Sequence, residues 1–448
     1  MLRRLGSLLS RWSARYMPDP FIFALALTFI TFVLGIFIAR QGPLQMIQHW
    51  YSGFWELLSF GMQMVLILIT GHALASAPLI KKLLSRVAAI PKTPAQAVYL
   101  TGFVACILGW IHWGFGLIGG GVLALFIARN AQEKGMRLHY PLVVASAYLA
   151  MVIWHNGLSG SGPLLLATPG HFLEAETGII PISKTIFSHM NIAISVAMLF
   201  ICPLVMALML PSREEEIVPA LPIRLAEALP DDETETPDEN ATPAEKLENS
   251  IAITVLICLM GVAYLVWYFA TQGFKLNLNV LNFLFLVCGI AFWKTPVRYT
   301  RAVAEATKGV SGVILQFPFY AGIMGMMKYS GMGDIIAGWF VAISTEATYS
   351  IWVLISAGLV NLFVPSGGGQ VAVQGPIIVE AASKLHVGLP KAIMALAYGD
   401  ELTNMIQPFW AIALLGIARL KPKDIMGYCI TAMLVAFIIM ALGLVLAG

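Results

Sequence analysis

Val364-Pro365-Ser366-Gly367-Gly368-Gly369-Gln370 stands in the middle of an apolar stretch, and its glycine triplet is repeated 248 residues earlier as Gly119-Gly120-Gly121. Each triplet is followed 35 residues later by an asparagine, Asn156 and Asn404. Between them, Pro141 and Pro390 open the next apolar stretch of each copy. Backbone in hydrocarbon must satisfy its own hydrogen bonds, so a break there is tolerated only where it is buried or lines a cavity. Paired broken segments in two halves point to the binding site of a secondary transporter. The expected fold is an all-α polytopic membrane protein, an inverted-repeat transporter with two re-entrant hairpins, two broken helices and about nine spanning helices.

Composition bounds the same reading. Of 448 residues, 58% are hydrophobic and 11% charged, which indicates an integral membrane protein. Stretches such as Phe21–Ala39, Phe187–Leu210, Ile251–Thr271 and Ile425–Ala447 are long enough to cross ~30 Å of hydrocarbon as helices. No small-residue cleavage site follows Phe21–Ala39, so that stretch is expected to be a retained helix. The five cysteines (Cys106, Cys202, Cys258, Cys288, Cys429) fall in apolar segments without metal-ligand spacing and imply packing, not disulfides.

Residues 212–250 hold 12 of the 24 acidic residues and three basic ones, and read as a solvated acidic linker on the cytoplasmic side. Outside it, basic residues in short loops set the orientation. Arg3, Arg4, Arg11 and Arg15 place the N-terminus in the cytoplasm, and helices at about 21–39 and 57–77 lead to the basic loop Lys81–Lys92. A first hairpin at about 97–128 ends at Arg129, Lys134 and Arg137. A broken helix at about 141–166 and a helix at 187–210 complete the first repeat, 1–211. A connecting helix within 251–275 inverts the second repeat, 276–448. That repeat holds helices at 276–293 and 309–327, a hairpin at about 349–382, a broken helix at about 391–418 and a last helix at 425–447, which ends outside. This scheme puts 18 basic residues inside and six outside. A parallel repeat would place the basic loop 294–308 on the wrong side.

The breaks supply the candidate site. Pro365 stops a regular helix, and the amides at the start of the next one can hold an anion. The substrate-binding candidates are therefore Ser366, Gly367, Gly368, Gly369, Gln370 and Asn404, with Gly119, Gly120, Gly121, Asn156, Ser159 and Ser161 in the first half. A glycine-rich helix contact is the plainer alternative for the triplets. Asp400 and Glu401 are costly in an apolar span and are functional candidates by default. They are read as ion-coupling groups with Asn361, Thr403 and Gln407, carrying a proton or ligating Na⁺. The plainer alternative is a vestibule-facing acid or a pairing with Lys391. His112, Trp113, His155, Phe409 and Trp410 are candidate pocket residues, although a lone histidine in an apolar helix is commonly a satisfied core residue.

Two local matches carry no weight. Gly114-Phe-Gly116-Leu-Ile-Gly119 fits a dinucleotide pattern without its strand–turn–helix context. Ser159-Gly-Ser161-Gly-Pro lacks the register and partners of a hydrolase. No Arg or Lys lies at either tip or break, which suits a small monocarboxylate better than a di- or tricarboxylate. An intramembrane enzyme would need a nucleophile–base pair or metal cluster that the sequence does not offer. A channel or a transporter-like sensor is a further alternative, though the linker is too polar to be a folded output domain. No cofactor is expected apart from Na⁺ as a coupling ion. The expected partners are the carboxylate, H⁺ or Na⁺ and the bilayer, with no nucleic acid.

Eight segments in order along the chain carry a resemblance: Pro18-Asp-Pro20, Gly71-His-Ala-Leu-Ala75, Trp113-Gly-Phe-Gly116, Gly160-Ser-Gly-Pro163, Gln316-Phe-Pro-Phe-Tyr-Ala-Gly322, Val364-Pro-Ser-Gly-Gly-Gly369, Asn404-Met-Ile-Gln-Pro-Phe-Trp410 and Asp424-Ile-Met-Gly-Tyr-Cys-Ile-Thr431. With these, the chain resembles the short-chain fatty acid transporter (AtoE) family nearly end to end. The resemblance implies a multi-pass carrier of the bacterial inner membrane for acetoacetate, butyrate or similar acids. It also implies kinship with the ion-transporter superfamily, whose members pair inverted hairpins and are commonly homodimers.

Overall fold

Proline stands in the first turn of many of the helices, where its fixed φ suits the helix and its missing N–H is not needed. The computed structural model describes residues 20–211, 217–220, 242–308, 310–362 and 366–447. Its main helices are α1 Pro20–Phe37, α2 Pro43–Gly53, α3 Leu58–Ala75, α4 Pro78–Ala88, α5 Pro94–Ile111, α6 Trp113–Glu133, α7 Tyr140–Ala147, α8 Ser161–Leu166 and α9 His189–Leu208. They continue as α10 Ile251–Gln272, α11 Leu278–Trp293, α12 Pro296–Thr307, α13 Ser311–Tyr329, α14 Met332–Ile343, α15 Glu346–Asn361, α16 Gly367–Lys384, α17 Leu389–Asn404, α18 Pro408–Ala418 and α19 Pro422–Leu446. The fold is an all-α polytopic one with bent helices. Among the described residues, seven helices are long and apolar enough to cross a membrane, and a bent pair, α12 with α13, would make an eighth.

The order from α3 to α9 recurs from α13 to α19. A long helix and a shorter one lead into a two-helix hairpin, then a broken helix, then a long unbroken one. Pro141 and Pro390 lie at the starts of the two broken elements, α7 and α17. The first break is the longer, with 3₁₀ turns at Tyr148–Val152 and Trp154–Asn156 before α8. The second takes only residues 405–407 between α17 and α18.

These broken elements are the centre of the molecule. Residues Tyr140–Leu166 form a span that is 94% buried, while the span ending with α10 is only 17% buried. A helix apolar on every side belongs in a core or against lipid. The exposed Leu256, Leu259, Met260 and Val266 put α10 in the second class.

Three expectations need correction. Gly119, Gly120 and Gly121 do not interrupt a helix; they lie inside continuous α6. A methyl at Gly120 would lie 3.0 Å from the Ala147 carbonyl, and one at Gly121 2.9 Å from Leu414 Cδ1. The triplet therefore lets α6 approach the first broken helix and α18 closely, the packing use of small residues in membranes. The turn of the first hairpin is at His112 instead, between α5 and α6. Second, the basic loops after α3 and α11 are helices, α4 and α12, each with charged residues on one side and apolar ones on the other. Short amphipathic helices of this kind escape a search for long apolar spans; α2 and α14 were missed for the same reason of length. Third, residues within 212–250 are not all free linker. At the start of α7 the Val218 carbonyl accepts from Tyr140 N (2.9 Å) and the Val218 N–H donates to the His139 ring Nδ1 (3.1 Å), and Thr242 caps a helical turn at Pro243–Glu248. The N-terminal arginines, most of that linker and Phe363–Pro365 lie outside the described residues.

Candidate functional site

The second tip and the second break meet at Asn361, the last residue of α15. Its side-chain Nδ2 donates to the Asp400 carbonyl (2.7 Å), Thr403 Oγ1 (2.9 Å) and Asn404 Oδ1 (2.7 Å). Thr403 donates in turn to the Gly358 carbonyl at 3.0 Å, and Gln407 Nε2 donates to the Asn361 carbonyl. Helix α17 can lie this close to α15 because Gly399, next to Asp400, has no side chain to strike the Leu354 carbonyl. Asn361, Thr403 and Gln407 thus form one hydrogen-bonded cluster with the Asp400 backbone, Glu401 follows in the chain, and Asp400, Glu401, Asn361 and Gln407 are buried.

The first break joins the cluster from the other side. The backbone N–H of His155 donates to Glu401 Oε2 at 2.7 Å. The His155 ring Nδ1 lies 3.0 Å from the Ala397 carbonyl and 3.2 Å from Asp400 Oδ2. Tyr148, on the preceding 3₁₀ turn, donates to the Asn404 carbonyl at 2.7 Å. The acid pair of the second half is therefore clamped by backbone and side chain of the first. No Lys or Arg is buried among the described residues, so the nearest potential cation is the imidazole itself.

Polar atoms without hydrogen-bond partners concentrate here. Asn361 Oδ1, Gln370 Oε1, Glu401 Oε1 and Gln407 Oε1 are buried acceptors with none, and Trp154 Nε1 and His155 Nε2 are buried nitrogens with none. Such groups are rare in native structures and mark places where a ligand, ion or water completes the set. The acceptors suit a cation or a proton. Nitrogens facing a helix start suit an anion.

The remaining candidates divide. Ser366 caps α16, its Oγ accepting from Gly369 N at 3.3 Å, and Gln370 donates to the Ala357 carbonyl (2.7 Å) and Gln374 Oε1 (2.8 Å). Gly367 lies against the ring of His155, Gly368 against Phe317, Met64 and Phe60, and Gly369 against Tyr320. Asn156 turns the other way, its Nδ2 3.7 Å from Met198 Sδ on α9. Ser159 accepts from Trp113 N at 3.0 Å and Ser161 points to Met64 Sδ at 3.6 Å. His112 caps α6, its Nδ1 accepting from Gly114 N (3.1 Å) and Phe115 N (3.4 Å), so it faces its own helix and not the acid pair. Trp113 sits between Trp154 and Trp410, with ring centroids 6.2 and 5.4 Å away. The side chain of Phe409 lies outside the described set. Among the described residues, no three His, Cys, Asp or Glu side chains converge as a metal cluster.

Sequence reading missed Asn191 and the tyrosines. Asn191 Nδ2 donates to the Asn156 carbonyl (2.8 Å) and the Ile186 carbonyl (2.7 Å), while its Oδ1 accepts from Tyr398 OH at 2.9 Å. This chain ties the first break to α17. The only available signal was a single amide at the head of an apolar run.

A family model described as short chain fatty acid transporter matches residues 1–447. Two curated relatives carry that name in provisional form. One, from Escherichia coli K12, is 42% identical over 446 residues and covers all of both chains. Another, from Haemophilus influenzae, is 41% identical over 454 residues, 99% of each. Among solved structures, the YdaH transporter of Alcanivorax borkumensis, described as having an unusual topology, matches with a TM-score of 0.55. It covers 96% of this chain and 97% of its own at 16% identity, a likeness of fold alone.

Proposed function

The chain belongs to the short-chain fatty acid transporter family, a family of transporters and not enzymes, and on that premise we propose that it carries small monocarboxylates such as butyrate or acetoacetate across the bacterial inner membrane, coupled to H⁺ or Na⁺. The observation that carries this reading is the buried meeting of two breaks at Asp400 and Glu401. A carrier must hold its cargo at a place that either side can reach in turn, and broken helices at the join of two like halves provide one. The twice-repeated order of helices supports an inverted repeat with alternating access, and the loop charges favour an N-terminus inside and a C-terminus outside. Family kinship further suggests a homodimer.

The assigned roles follow from chemistry. The start of α16, at Ser366–Gly369, receives the carboxylate, because first-turn amides and the helix dipole favour an anion. Phe60, Met64 and Phe317, against Gly368, form an apolar wall for a short tail. The coupling ion is taken by Asp400, Glu401, Asn361, Thr403 and Gln407, whose free oxygens would otherwise cost energy in a buried site. The lack of a buried Lys or Arg favours one carboxylate on the cargo over two or three.

The test is uptake of labelled butyrate into proteoliposomes under separate inward Na⁺ and proton gradients, with protein-free liposomes as control. Protein-dependent accumulation under one of them is expected. No accumulation of butyrate or acetoacetate under either would overturn the reading.

A further inference from the structure

The imidazole of His155 is fully buried, and each of its edges except one is fixed. A carbonyl can only accept, so the 3.0 Å contact with Ala397 O puts a proton on Nδ1. Asp400 Oδ2 stands 3.2 Å from the same nitrogen, and the Trp154 ring lies over the imidazole with centroids 3.6 Å apart. The position left to gain or lose a proton is Nε2, which has no hydrogen-bond partner.

That nitrogen faces the start of α16. A methyl built on Gly367 would lie 2.5 Å from His155 Nε2 and 2.7 Å from its Cε1, so only glycine lets the helix come this close. Gly367 opens an 18-residue helix after the Ser366 cap, and the first amides of a helix have no acceptor within it.

We infer that His155 Nε2 and the N-terminus of α16 together form the carboxylate site, and that one proton is taken up at Nε2 with each carboxylate bound. The inference rests on the carrier reading above and narrows it: the coupling ion is the proton, held on His155, and the neighbouring acid cluster serves as its counter-charge and not as a set of Na⁺ ligands. Without an anion, the positive end of α16 opposes charge on the imidazole and Nε2 keeps its lone pair. A bound carboxylate reverses that balance. It accepts from Nε2–H and from the helix amides, and Asp400 behind Nδ1 balances the imidazolium. Anion and proton entering together add no net charge to a buried site, where an unpaired charge is very costly. The only covalent change is an N–H bond, formed with a proton from one aqueous side and broken to the other.

The ionisable groups around the ring are Asp400, Glu401 and Tyr398 on α17, Tyr148 on the adjacent 3₁₀ turn, and Cys106 and Cys202 on α5 and α9. Asp400 is the one within reach of the ring nitrogens. Because the linkage is reciprocal, carboxylate affinity should fall with rising pH, by up to about tenfold per unit above the range where His155 is charged in the complex.

The experiment is calorimetric titration of the purified full chain with butyrate, at pH values between roughly 6 and 8, in two buffers of different ionisation enthalpy. Wild type should take up close to one proton per butyrate bound. His155→Gln should take up none, bind at least tenfold more weakly at the acid end, and show no dependence on pH. Gly367→Ala crowds Nε2 from the opposite side and should also bind at least tenfold more weakly, which keeps the test alive if the glutamine variant fails to fold. Proton uptake retained by His155→Gln, binding without proton uptake in wild type, or unaltered binding by Gly367→Ala would each overturn the inference while leaving the carrier reading intact. A wild-type protein that binds no butyrate would overturn both.

Discussion

The described residues at the two hairpin turns differ in their hydrogen bonding. At the first, His112 accepts two amides of α6, Ser159 accepts the amide of Trp113, and Leu158 N donates to the Trp110 carbonyl at 2.8 Å. At the second, Ser366 accepts one amide, while the facing acid pair, Asn361, Gln370 and Gln407 retain oxygens without partners. The glycine triplets differ likewise: one packs helix to helix inside α6, the other opens α16 against a histidine. The first turn is closed by these bonds, although His112 Nε2 stays without a partner, whereas unpartnered oxygens gather around the second break. Duplicated architecture does not require duplicated chemistry, because each tip needs only enough bonding to hold its own turn.

Substitutions at the second tip should therefore have the largest effects. Asn404→Ala and Ser366→Ala should each reduce butyrate uptake in proteoliposomes to the level of protein-free vesicles, with expression intact; wild-type uptake by both would remove the site assignment. Asp400→Asn and Glu401→Gln should lower gradient-driven uptake on the order of a hundredfold, since each removes a buried carboxyl beside the coupling site. If accumulation against a gradient survives in both, the coupling group lies elsewhere. Gly121→Ala, in the first half, should accelerate thermal inactivation by forcing α6 from α18, a cost of about 1–3 kcal/mol, without changing the half-saturating butyrate concentration. His112→Ala loses a cap worth ~1 kcal/mol and should act in the same way, more weakly. Should His112→Ala stop uptake in a folded protein as completely as Ser366→Ala, the contrast between the tips is wrong.

Much of this architecture could be read without coordinates. The predicted hairpin at 349–382 corresponds to Glu346–Lys384, the predicted helix at 251–271 to Ile251–Gln272, and the breaks near Asn156 and Asn404 are present. These succeed because hydrocarbon admits few backbone solutions, so long apolar runs and their interruptions are stated openly by residue type. The acid pair was legible for a related reason: charge in an apolar span has few structural uses. The first tip was misread because a glycine triplet signals a turn and a close helix contact with the same letters.

What the sequence determined by itself was an all-α membrane protein of repeated, broken helices with an acid pair at its second break. Only the tertiary structure decided that His155 bridges from the first break to Asp400 and Glu401 and that Nε2 is aimed at Gly367. It also decided that Asn156 turns away from that cluster. Local sequence fixes whether a helix can continue, because that depends on the backbone bonds of neighbouring residues. Which groups meet across 246 positions, as the His155 amide meets the Glu401 carboxylate, is set by how whole helices pack, and no short stretch of sequence contains that information.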